Sequence, residues 1–243
     1  MHQQQGCMRH DAMRKEEIRT LHEIGAITVG QSPRVDVMPD LEPLLSGIRV
    51  IQKGALDGMT REEMKKIEPE PGDYVLVSRL QDGSSVRMSE KFILPIIQQY
   101  IDAFNRQGVE GILMLCTGEF PHFTSHIPLL YPQKLLKAVT MAVLEEHQTL
   151  GILTPDSSQV QQARKRWLGY GASRVCVEAA SPYLSEQDVI QAGLRLKEQG
   201  ASLIVMDCIG YTQNMKDIVH RETGLSVILG RTVAARIAAE LFG

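Results

Sequence analysis

The 243-residue sequence predicts an α/β protein of two lobes with mainly parallel sheets. Three observations carry this. Short Val-, Ile- and Leu-rich runs recur without polar alternation, as strands buried on both faces require. Longer amphipathic stretches separate them, the pattern of strand–helix–strand units with right-handed crossovers. A proline-punctuated segment, PHFTSHIPLLYP at 121–132, then interrupts the alternation and reads as a connection between lobes.

Taken in order, residues 1–21 show no sustained apolar period and are read as an extension outside the fold, carrying the incidental Cys7. Strands are predicted at Ile24–Val29, Ile48–Gln52, Tyr74–Ser78 and Gly111–Cys116 before the break, and at Gln148–Leu153, Arg174–Glu178, Leu203–Asp207 and Ser226–Leu229 after it. Helices are predicted at Glu90–Arg106, Gln133–Glu146, Ser157–Tyr170, Ser185–Glu198, Asn214–Glu222 and Arg231–Leu241. Ser185 is placed to cap its helix, and Gly200 and Gly224 fall where helices should stop. The final strand and helices are too few for a domain of their own and are expected to return to the first sheet. The expected lobes are therefore 22–125 with 213–243, and 126–212.

Composition narrows the function. Net charge is −3 with no basic block, which argues against nucleic acid and anionic membrane surfaces as partners. No apolar run approaches the roughly 18 residues of a membrane span. Four cysteines make no disulfide framework, and no secretory signal is evident, so a cytoplasmic protein with reduced thiols is expected.

The chemistry points to two of those cysteines. Cys116 in GILMLCTGEFP and Cys208 in SLIVMDCIGYTQ each follow an apolar strand, with glycine two residues on. Ligands of open α/β sheets bind outside the carboxyl ends of the strands. If the lobes face each other, the two thiols flank one cleft. Backbone N–H groups at such a turn are expected to lower a thiol pKa. Thr117, Gly118, Gly210 and Thr212 offer small hydrogen-bonding groups. Gln31, Ser32 and Arg34, on the turn after the first strand, are placed to clamp a carboxylate. Cys176 lies mid-strand and reads as core, as does Trp167. Asp207, beside Cys208, is read as orienting the following turn or raising the thiol pKa. The spacing Cys116, His122, His126 resembles a zinc triad, but the proline-bounded segment does not secure a helical pairing, and no metal is assigned.

Together the segments TVGQSPRVD, KGALDGM, GDYVLVSRLQDG, LCTGEFP and DCIGYTQ resemble the AroM-like proteins, themselves similar to the aspartate/glutamate/hydantoin racemase superfamily. The resemblance implies two lobes related by a pseudo-twofold, an active site between them, one catalytic cysteine per lobe, no cofactor, and a homodimer as the expected assembly. It marks Cys116 and Cys208 as catalytic and adds Tyr211 to the substrate-binding set. The superfamily's Cys-Asn-Thr and Cys-Thr-His motifs are replaced here by Cys116-Thr117-Gly118 and Cys208-Ile209-Gly210-Tyr211. Two thiols on opposite faces of a stereocentre suit proton removal on one side and delivery on the other. The implied function is a racemase or isomerase acting on a small carboxylate. A single-cysteine decarboxylase or cis–trans isomerase, and a non-catalytic carboxylate sensor, are the alternatives.

Overall fold

A computed structural model describes residues 22–243. The expected extension at 1–21, with Cys7, lies outside the described residues. The first sheet contains β1 (His22–Thr28), β2 (Ile48–Gly54), β5 (Gly111–Met114) and β6 (Leu129–Leu130), ordered β2-β1-β5-β6 and wholly parallel. The second contains β7 (Thr149–Thr154), β8 (Arg174–Ala179), β9 (Ala201–Met206) and β10 (Ser226–Leu229), ordered β10-β9-β7-β8 and also parallel. Read from the opposite edge, the second order reproduces the first. Each sheet's third strand in sequence, β5 or β9, is the one that leads to a site cysteine.

Three features depart from the sequence reading. Leu129–Leu130, inside the segment read as a connection and assigned from residue 126 to the second lobe, forms β6 and pairs with β5 in the first sheet. Ser226–Leu229 does not return to the first sheet but pairs with β9 in the second. The helix α7 (Gln213–Thr223) provides the short crossover between those neighbours, the connection parallel strands favour. Apolar content alone does not say which sheet a buried strand joins. The predicted strand at Tyr74–Ser78 forms as β3 (Val75–Arg79), but outside both parallel sheets. It pairs antiparallel with β4 (Ser85–Ser89) around an Asp82-Gly83 turn whose glycine has φ +88°. This hairpin has no counterpart between β8 and β9.

The helices on the sheets are α3 (Glu90–Gln107), α4 (Pro132–Val143), α5 (Val160–Gly169), α6 (Glu186–Glu198) and α8 (Gly230–Phe242), with two short turns, α1 (Met38–Leu41) and α2 (Arg61–Lys65), in the first lobe. Ser185 caps α6 and Gly224 ends α7 at φ 70°, as the sequence indicates. Two helices are exchanged between lobes. Leu136 of α4, which follows a first-sheet strand, is buried with Leu150, Ile152 and Val205 of the second sheet. Ala234, Ala235, Ala238 and Phe242 of α8, which follows a second-sheet strand, are buried with Ile24, Ala26 and Leu113 of the first. Among the described residues no helix is long and apolar enough to cross a membrane.

Candidate active site

Cys116 and Cys208 each lie two residues beyond the end of β5 or β9, and each sulfur receives the N–H of the glycine two residues on, Gly118 and Gly210, at 3.3 Å. Both line a single cavity between the lobes, with Arg34, Thr117, Gly118 and Asp207. The hairpin closes it: Tyr74–Ser78 form one wall. About 20 Å³ of free space remains, room for roughly one water molecule.

The glycine N–H groups were expected to lower the thiol pKa. They act in that direction, but burial outweighs them. Burial pushes Cys116 up to about 12, and it raises Cys208 as well. Both shifts favour the neutral thiol over the thiolate.

Arg34 reaches the cavity, but its donors are engaged. Nε and Nη2 form a bidentate pair with Asp36 at 2.8 Å each. Nη1 donates to Thr28 Oγ1 at 3.1 Å and Ser78 Oγ at 3.3 Å, and Nη2 also lies 3.5 Å from the Tyr183 hydroxyl. Although burial works against it, this pairing holds Asp36 below the ordinary carboxylate range. Tyr183 continues to the thiol, its hydroxyl 3.8 Å from Cys208 Sγ.

The other predicted ligands fall outside the cavity lining. Gln31 Oε1 accepts the Gln81 N–H at 2.9 Å, tying the turn after β1 to the hairpin tip. The N–H and hydroxyl of Ser32 donate to the Asp57 carboxylate at 2.7 and 2.6 Å. Gly210 packs under the Tyr183 ring. The Tyr211 hydroxyl donates to Ala180 O at 2.7 Å in the second core, and Thr212 caps α7. Their contribution is to the shape of the site. Gly54 matters to the same turn: a Cβ there would stand 2.5 Å from Ser32 N and 2.6 Å from Gly30 O, both backbone atoms. Gly54→Ala is expected to destabilise the fold by about 1–3 kcal/mol, read from urea denaturation.

A second charged pair was not foreseen. Arg166, on α5, forms an ion pair with Asp207, and its Nη1 donates to the Tyr74 hydroxyl at 2.5 Å. Trp167 Nε1 donates to the same Asp207 oxygen at 2.8 Å. So Asp207 anchors α5 rather than the turn after Cys208. Its position before Cys208 was visible in sequence; its partners, 40 and 41 residues away, were not. Arg166 Nε is buried without a partner.

The free edge of β3 is held by side chains of the second lobe. Val75 N–H donates to Gln162 Oε1 at 3.1 Å, and Gln159 Nε2 donates to Val75 O at 2.8 Å. Outside this latch lies an open pocket of about 560 Å³, lined by Asp73, Glu119, Lys165 and Tyr170 among others, which shares Tyr74, Gln162 and Arg166 with the inner cavity. No group of three or more His, Cys, Asp or Glu side chains placed to hold a metal ion occurs among the described residues.

A search of curated proteins gives no match. Solved structures do match. An allantoin racemase from Klebsiella pneumoniae has a TM-score of 0.58 at 15% identity, over 90% of this chain and 86% of that one. A glutamate racemase isoform from Bacillus anthracis has a TM-score of 0.56 at 12% identity, over 91% and 82%. An arylmalonate decarboxylase has a TM-score of 0.59 at 13% identity, over 91% and 92%. At such identity these likenesses establish the fold. The profile described as AroM protein matches residues 24–242. With the two-lobed parallel architecture shared with these enzymes, and with that match spanning both lobes, the chain belongs to the AroM family.

Proposed function

We propose that the protein is a cofactor-independent racemase or isomerase of a small carboxylate, with Cys116 and Cys208 as its acid/base pair. One observation carries this reading: equivalent strand ends of two matched lobes bring two sulfurs to the wall of one cavity. A binder has no use for that duplication, whereas inversion of a stereocentre needs a group on each face. In the reaction one cysteine, as thiolate, removes the proton α to the carboxylate, and the other, as thiol, supplies a proton to the opposite face. The enolate charge that develops is met by N–H donors at the two strand ends and by the guanidinium groups beside them. Of these, Arg34 and Arg166 both favour the thiolate of Cys116 electrostatically. Closure of the hairpin excludes water from the carbanionic species.

The test is solvent deuterium exchange at the α-carbon across a panel of amino and hydroxy acids, followed by NMR. Cys116→Ser and Cys208→Ser should each reduce exchange by about 10²–10⁴-fold. Exchange undiminished by both substitutions removes the pair from the mechanism; loss with only one of them turns the reading to single-cysteine chemistry.

A further inference from the structure

The charges around the cavity select among carboxylates, an inference that rests on the carboxylate reading above. Two guanidinium groups, Arg34 and Arg166, line the cavity, and each is matched by its own buried or half-buried acid, Asp36 or Asp207. The four groups sum to zero. When one thiol ionises for proton transfer, the balance becomes one negative charge. A ligand with two carboxylates would then bring a second, distal charge into a dry site that has no cation to spare, a costly desolvation.

The two arginines also differ in what they can still donate. Guanidinium carries five N–H donors. Those of Arg34 are committed to Asp36, Thr28, Ser78 and Tyr183. Arg166 contacts Asp207 and Tyr74 through its terminal nitrogens, while its Nε is buried with no partner and its side chain is only 8% exposed. A buried cationic N–H without an acceptor is costly, so this edge is where an added carboxylate oxygen gains most. Arg166 also stands on the wall shared with the open outer pocket, whose lining sets two acids, Asp73 and Glu119, against Lys165 and Arg166 and so offers a dianion no excess of positive charge.

We propose that the cavity, when the β3–β4 wall moves aside to widen it beyond its one-water space, takes a carboxylic acid of single negative charge, seated on the free Nε edge of Arg166, and discriminates against the corresponding dicarboxylate.

The matched probes are 2-bromobutyrate and 2-bromosuccinate, four-carbon acids that differ in the terminal carboxylate. In each, a cysteine thiolate displaces bromide, forming one S–C bond and releasing one bromide ion. Second-order alkylation rates at Cys116 and Cys208 are read by peptide mass spectrometry and divided by the rates in the unfolded chain. The folded protein should favour the monocarboxylate by about tenfold in this ratio, the size of one charge acting across about 12 Å at an effective dielectric near 20. Asp207→Asn keeps an acceptor for Trp167 and removes one negative charge; it should shift the ratio about tenfold toward the dicarboxylate. Arg166→Lys keeps the charge without the Nε edge and should slow the monocarboxylate about tenfold. Circular dichroism verifies that both variants are folded. A normalised ratio of one or less, a ratio unmoved by Asp207→Asn, or no reaction of either folded thiol with either probe would overturn the proposal. The two readings fail separately. Charge selectivity without cysteine-dependent α-proton exchange leaves this seat standing and removes the racemase. Cysteine-dependent exchange faster on aspartate than on 2-aminobutyrate does the reverse.

Discussion

Alkylation of Cys116 in the folded protein is expected to run about a thousandfold slower than in the unfolded chain at pH 8. The reaction needs thiolate, and burial has moved Cys116 from its ordinary 9.0 to about 12. Each step of one pH unit between 7 and 10 should raise the folded rate about tenfold without levelling off, whereas the unfolded rate should flatten above about pH 9. Quenched labelling followed by peptide mass spectrometry measures both. A folded-state rate that levels off near neutral pH would show a thiolate already present and sink the assignment of a closed, neutral resting site. The same shift acts on stability. The protonated thiol is the form the fold favours, so its contribution is complete below the unfolded value near 9.0. It is lost as pH rises from there toward about 12. Denaturation midpoints should therefore fall on the alkaline side, and less steeply in Cys116→Ser.

Asp207→Ala should destabilise the protein by about 3–5 kcal/mol, the usual cost of leaving a buried charge without its partner. The substitution strands the Arg166 guanidinium and orphans the indole N–H of Trp167, whose side chain is wholly buried. The Tyr74 hydroxyl, next to β3, accepts from Arg166, so the hairpin should loosen together with α5. Urea denaturation gives the stability change, and amide exchange over residues 74–78 should rise with it. A loss below about 1 kcal/mol would mean that water already solvates this pair, and that Arg166 is not the dry, committed cation on which the site depends.

What could be read from the sequence was what is local. An apolar run ending in Cys-x-Gly fixes both the strand and the position of its sulfur, and that is how Cys116 and Cys208 arrived at the observed cavity. Ser185 and Gly224 marked helix ends because capping involves only neighbouring residues. Arg34 apart, the misjudged features depend on distant partners. Ser226–Leu229 carries no mark of the sheet it joins. A lowered thiol pKa follows from the glycine N–H groups alone, but the hairpin that buries the sulfurs comes from residues 74–89. Arg34 looked like a free clamp, although Asp36, two positions on in the same turn, was the available sign that it would be neutralised. Arg166 gave no sign beyond standing next to a buried tryptophan.

The exchange of α4 and α8 reaches beyond the site. Each half of the molecule borrows one of its covering helices from chain that belongs, by strand order, to the other half. Neither half, made alone, would have its sheet fully shielded from water. A gene encoding this protein therefore cannot be divided at the midpoint into two self-sufficient products, and translation must run almost to the last residue before the earliest strands gain their final layer.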